Sequence, residues 1–170
     1  MKRLALVAIL AVGTVVGCSS GPAAPSPEPT RSVCTDTYCI DVPAGWSGEV
    51  GDTFIAFNHE ALPEGTFLTS NTVDMEAIVS AAGGTWPVPT NEVVEAFWSL
   101  LEDVDEGELV RTERMVGGAW RSWGTHSTGT MWYFLMPLDG SRAIGVELRG
   151  PNDSWESHAD VVFASVENLG

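Results

Sequence analysis

Residues 131–169 constrain this chain more than any other stretch. Met131-Trp-Tyr-Phe-Leu-Met136 is an almost unbroken apolar run, as expected of a strand covered on both faces. The next run alternates, with Ile144, Val146 and Leu148 on one side and Ala143, Gly145, Glu147 and Arg149 on the other, which predicts a strand covered on one face only. Between them Pro137-Leu-Asp-Gly140 carries the Asp-Gly signal of a hairpin turn, and Pro151 stops the second strand. Trp155, Ala159, Val162, Phe163, Val166 and Leu169 then recur at helical spacing, so a closing helix lays an apolar face back on the hairpin.

Upstream, residues 38–42, 53–57 and 66–73 read as strands punctuated by Pro43-Ala-Gly45 and Pro63-Glu-Gly65, with Trp46 at the first turn covering the core edge. Asp74 is placed to cap a short helix that Gly83-Gly84 ends. The loop Gly83-Gly-Thr-Trp-Pro-Val-Pro89 is permissive at its start and stiff at its end, which marks it as an exposed connection with Trp86 as its contact residue. Thr90 then reads as the N-cap of a helix whose stripe is Val93, Val94, Phe97, Trp98, Leu100, Leu101 and Val104, with Glu92 suited to the first turn. Its acidic end opposes the helix dipole, so fraying is expected near Asp105. Residues 108–116, 119–128, 131–136 and 142–150 follow as consecutive strands. This order predicts a single α+β domain, an antiparallel sheet with helices packed on it, and not a βαβ arrangement.

The N-terminal end carries an address. Lys2 and Arg3 precede an apolar run over residues 4–16, long enough for the core of a signal peptide and short for a membrane-spanning helix. The run ends in Val15-Val16-Gly17-Cys18, which resembles the bacterial lipoprotein signal. That resemblance implies cleavage after Gly17, a lipid on Cys18, and a protein anchored at the extracytoplasmic face of a membrane. Residues 1–17 are then the signal peptide. Residues 18–32, rich in Ser, Gly, Ala and Pro, read as a disordered tether that reaches roughly 20 Å on average. Residues 33–170 form the domain.

The leader takes Lys2 and Arg3, two of the eight basic residues, leaving six arginines against all 23 acids, a formal charge of −17. Such a surface repels nucleic acid and anionic head groups. With Cys18 committed to lipid, Cys34 and Cys39 remain, an even number outside the cytoplasm, and read as a disulfide. No further Cys or His lies near them for a metal site, and the spacing is not Cys-x-x-Cys.

The domain resembles the Mog1/PsbP-like sandwich found in many small bacterial lipoproteins. The residues that carry the likeness are Cys39-Ile-Asp-Val-Pro-Ala-Gly-Trp46, an internal helix, the hairpin of residues 133–148, and the Trp155 helix ending in Ala164-Ser-Val166. The resemblance implies an α/β/α sandwich over nearly the whole domain. The class holds photosystem subunits, a GTPase-binding protein and envelope lipoproteins, so it implies a binding role.

Signatures of chemistry are sparse. Gly-x-Ser-x-Gly, His-Glu-x-x-His, the P-loop and the dinucleotide glycine pattern are all missing. His59, beside Glu60, is of a type that ligates metals or acts as a base, but reads as an exposed loop histidine. His126 and Ser127 look like half of a nucleophilic pair, yet neighbours on one strand point to opposite faces. His158 falls on the polar side of the closing helix and reads as a solvated neutral imidazole.

Of the seven tryptophans, Trp98, Trp132 and Trp155 fall on core stripes. Trp120 and Trp123 have opposite parity, so one faces the core and the other faces outward beside Arg121, unless Gly124 marks a bulge. The outward one forms part of a ligand groove or protein contact, or lies under a second helix. The sequence therefore reads as a lipid-anchored, non-enzymatic binding domain with no cofactor and no metal. Its expected partner is an envelope protein or a small apolar ligand, with Trp86, Trp120, Arg121 and Trp123 as candidate contacts. The alternatives are an extracytoplasmic hydrolase or metal-binding lipoprotein, and a structural envelope component.

Overall fold

The computed structural model describes residues 29–104, 106–152 and 155–169. The leader, Cys18, most of the tether and Asp105 lie outside the described residues. Within them the chain runs β1 (Thr30–Cys34), β2 (Tyr38–Pro43), β3 (Trp46–Val50), β4 (Phe54–His59), β5 (Phe67–Asp74), α1 (Met75–Ala81) and α2 (Thr90–Glu102). It continues with β6 (Gly107–Arg114), a 3-10 turn at Val116–Gly118, β7 (Trp120–His126), β8 (Gly129–Pro137), β9 (Arg142–Gly150), α3 (Glu156–Ala164) and β10 (Glu167–Asn168). No helix among the described residues is long and apolar enough to cross a membrane.

Seven strands form one antiparallel sheet in the order β3-β4-β5-β9-β8-β7-β6, and β1-β2-β10 form a second. The α1–α2 pair carries the chain across one face from β5 to the far edge at β6, and the meander β6 to β9 returns to pair with β5. The large sheet is thus a middle layer. On one face α2 packs against β6, β7 and β8, with α1 alongside it, over a core of Val93, Val94, Trp98, Met131, Tyr133 and Leu135. On the other face β2 and α3 close a larger core that includes Tyr38, Phe57, Trp132, Phe134, Trp155 and Phe163. The domain is α+β, as the order of elements predicts.

The local chemistry explains the boundaries. Asp74 caps α1 by accepting from the N–H groups of Glu76 and Ala77, and Gly83 follows the helix at φ +79°, a conformation glycine adopts at little cost. The N-cap of α2 falls on Pro89 and not on Thr90. The Pro89 carbonyl accepts from Glu92 and Val93, and proline at that place gives up no N–H that the helix would use. Trp98 fits against β7 because Gly124 has no side chain: a Cβ there would stand 2.5 Å from the indole. The pairing shifts at this glycine: Leu109 faces Gly124 and Arg111 faces Trp123, so the extra residue, Val110, is carried by β6 and the alternation along β7 continues.

Four features differ from the sequence reading. β1 starts at Thr30, within the stretch read as tether, because Val33 is buried and the strand pairs with β2 from Thr30 to Cys34. Trp46 opens a strand, β3, with its ring buried and the remaining four residues exposed. β9 is buried on both faces over Ala143–Val146, since Ala143, on the face expected to be open, joins the helix-side core. The closing helix ends at Ala164: Ser165 Oγ accepts from Asp41 N–H at 2.7 Å, and the chain then extends as β10 against β2. Val166 and Leu169 therefore do not continue the helical stripe. Cys34 and Cys39 are disulfide-bonded and face one another at the closed end of the β1–β2 hairpin.

Candidate ligand cleft

The helical layer stops over β8. Beyond it, the same face of β9, β5 and β4 is left as a cleft of about 530 Å³ beside α1. Period-two alternation decides what this cleft receives. Leu68, Ile55 and Val146 go to the larger core, so Thr69, Asn71, Ala56, Gly145 and Glu147 turn to the cleft. Phe54, Val73, Ile78 and Phe97 supply apolar walls from β4, β5, α1 and α2.

The floor is built on Tyr133. Its ring lies flat on Phe97, with centroids 4.0 Å apart and planes 14° from parallel. The side chain is only 4% exposed, yet its hydroxyl reaches across Gly145, where a Cβ would stand 3.1 Å from it and 3.5 Å from Asn71 Oδ1. Among the described residues no hydrogen bond engages this hydroxyl. Burial pushes the Tyr133 phenol far up, and the Glu147 carboxylate adds to the effect, so it is a neutral donor and acceptor.

Glu147 pairs across the sheet with Tyr133 on β8 and Thr69 on β5. Burial raises its carboxyl above the usual range, and Arg149 pulls it part of the way back. Arg149 Nε stands 3.2 Å from Glu147 Oε1, its Nη1 donates to His126 Nε2 at 3.2 Å, and its guanidinium lies over the Phe67 ring. Desolvation first, and the Arg149 charge second, lower the His126 pKa, with Glu106 opposing. A row of carboxylate, guanidinium and imidazole therefore runs across the sheet beside the cleft. It can orient and hold charge, but a guanidinium, always protonated, cannot relay a proton between its neighbours.

The three histidines weighed for chemistry are all engaged in local contacts. Ser127 Oγ does reach His126 Nδ1, at 3.4 Å, contrary to the opposite-face expectation, because β7 ends at His126 and Ser127 belongs to the following turn. Thr128 N–H donates to Nδ1 at 3.2 Å and Arg149 Nη1 lies 3.2 Å from Nε2, so donors already engage both ring nitrogens and Nδ1 is not free to take the proton of Ser127. His59 is the last residue of β4 rather than a loop residue. Its Nδ1 accepts from Ala61 and Leu62 N–H groups, so Nε2 donates to Ala44 O, and neither nitrogen is open to a metal. His158 is not a solvated imidazole: its Nδ1 accepts from Trp46 Nε1 at 2.9 Å, and its ring is 5.3 Å from that of His59. Among the described residues no group of three metal-ligating side chains occurs.

The four contact residues expected from sequence do not converge. Trp120 and Trp86 are half-buried against the helix-side core, and Trp123 is half-buried against the opposite core. The two indoles of β7 thus lie on opposite faces, each packed against a core, which matches the expected opposite parity and the alternative of a second covering layer. Arg121 lies on the α3 face, bonded to Glu113 and, at 2.6 Å, to Asp160, with its guanidinium 5.0 Å from the Trp132 ring. It borders a second groove of about 710 Å³ floored by Phe134, Met136 and Phe163. Sequence reasoning missed Tyr133, Asn71, Gly145 and Glu147 as one group. The available signal was a glycine and a carboxylate inside a strand flanked by apolar neighbours, where a close approach and a buried charge are expected.

No protein-family model matches this chain, and no curated protein sequence does. Among solved structures it is similar to the solution structure of the cyanobacterial PsbP protein CyanoP from Synechocystis sp. PCC 6803. The TM-score is 0.56 and the identity 16%, over 92% of this chain and 100% of that one. A crystal structure from Bacteroides thetaiotaomicron VPI-5482 is similar with a TM-score of 0.45 and 13% identity, over 78% of this chain and 45% of that one. The first likeness shows a PsbP-like fold.

Proposed function

We propose that this chain is an exported protein held at a membrane by lipid on Cys18, with a PsbP-like domain that binds a small apolar ligand without transforming it. The observation that carries the reading is the Tyr133 hydroxyl, which opens into an apolar-walled cleft with no partner among the described residues. The hydroxyl opens to the solvent of the cleft, where a polar group of a ligand can take the place of water on it. The volume falls within the range of about 300–1,000 Å³ common for small-molecule sites. The row from Glu147 through Arg149 to His126 supports recognition over proton transfer. An envelope protein is the other partner expected from sequence, and the groove around Arg121 is open to it.

The binding reading is tested by titrating the purified domain with the neutral apolar fluorophore N-phenyl-1-naphthylamine. Saturable one-to-one enhancement is expected, and Ile78→Trp, which fills the cleft wall, should abolish it. Enhancement that ignores Ile78→Trp would place the site elsewhere. The anchor is tested separately: Cys18→Ala should leave unprocessed precursor and release the protein from the membrane fraction, and wild-type processing and fractionation would overturn the lipid reading.

A further inference from the structure

Resting on that reading of the cleft, we infer that its ligand is a primary amine with an apolar body, whose ammonium sits over Gly145 among Tyr133 Oη, Asn71 Oδ1 and the Glu147 carboxylate. The argument begins with the count of hydrogen-bonding groups. A primary ammonium carries three donors and no acceptor; Tyr133 Oη and Asn71 Oδ1, with Val73 Cγ1, border the space over Gly145, and Glu147, two residues along β9, lines the same cleft. Arg149 engages Glu147 through Oε1, and a carboxylate has a second oxygen to offer.

Charge points the same way. The charged residues lining the cleft are Asp74 and Glu147, both acids, with no Lys or Arg among the lining. Arg149 approaches Glu147 from outside the cleft and is shared with His126. A carboxylate ligand would meet like charge with no cation to receive it, and a neutral alcohol has one donor for three acceptors. The walls suit the remainder of the molecule: Ile78 and Val73 offer aliphatic surface, while Phe54 and Phe97 add ring faces that attract a cation nearby. The acidic surface of the whole chain raises the local concentration of cations and so favours capture.

The inference is tested by calorimetric titration of the wild-type domain at neutral pH with octylamine, octan-1-ol and octanoate. Octylamine should bind at least about tenfold more tightly than octan-1-ol, as a charge-assisted hydrogen bond requires, and octanoate should not bind measurably. Glu147→Gln should reduce octylamine to the level of the alcohol. Gly145→Ala, whose Cβ would crowd Tyr133 Oη and Val73 Cγ1, should weaken octylamine more than octan-1-ol. Equal affinity for the amine and the alcohol would overturn the inference and leave the apolar cleft standing. Preference for octanoate would overturn it as well. Saturable binding of none of the three, together with no N-phenyl-1-naphthylamine signal, would overturn the cleft reading itself.

Discussion

Trp98 Nε1 donates to Ser122 Oγ at 2.8 Å, and that hydroxyl donates in turn to Tyr133 O at 3.2 Å. Both side chains are buried, so the chain ties α2 to β7 and β7 to β8 beneath the helical layer. Ser122→Ala strands the indole N–H, and a stranded buried donor costs about 1–3 kcal/mol. Urea unfolding should show that loss, and unchanged stability would mean that the indole finds another acceptor.

The pKa of His126 is lowered by desolvation and by Arg149. Its imidazole titration, followed by NMR, should therefore fall below the ordinary value of about 6.5. Arg149→Gln should move the midpoint upward, because it removes the neighbouring cation. The sign for stability follows from the folded state favouring the neutral ring: the contribution is full above the ordinary histidine range and is lost as pH falls toward the depressed value. A midpoint that ignores Arg149→Gln would assign the depression to burial alone.

The Glu147 carboxyl is shifted the other way, upward, by burial. The folded state holds its proton over a range where the unfolded chain has released it. The associated stability is full below the ordinary carboxyl range and is lost as pH rises through the raised value. Glu147→Gln removes that dependence, so the variant should gain stability relative to wild type between about pH 4 and pH 7. Unfolding curves at the two pH values check the sign, and a constant difference would show that Arg149 cancels the effect of burial.

Cys34 and Cys39 close a loop of sequence separation 5, which the chain-entropy model values at about 2 kcal/mol. Reduction should lower the stability of the domain by about that amount without unfolding it, since Val33, Tyr38 and Ile40 stay rooted in the larger core without the crosslink. Alkylation of the exported protein should find both thiols protected until a reductant is added. Free thiols in fresh material would contradict the bonded state.

The elements legible in the sequence are those that bury a periodic face. The stripe through Val93, Val94 and Trp98 and the apolar run of β8 mark α2 and the central hairpin in the sequence itself. β1 and β3 were not legible because Val33 and Trp46 are their only buried residues, and one buried position has no period. The end of α3 was misread for a different reason. Val166 keeps helical spacing while Ser165, through its bond to Asp41, turns the chain into β10. The cleft was the least legible feature of all. Phe54, Asn71, Tyr133 and Glu147 come from four strands, and only the strand order β4-β5-β9-β8 makes them neighbours.

The hairpin at the start of the domain also has a mechanical side. Any pull arriving from residues before Thr30 loads β1 first, at the end where Thr30 faces Pro43. In that direction the ladder opens one rung at a time, like a zipper. The crosslink at the fifth rung, Cys34 to Cys39, halts it after an extension of roughly 15 Å, at about 3.3 Å per residue. The force then passes to β2, which is held between β1 and β10 and roots Tyr38, Ile40 and Val42 in the larger core. The bond that adds little to equilibrium stability thus acts as a strain relief, letting the first few residues peel away under load while the domain and its cleft keep their shape.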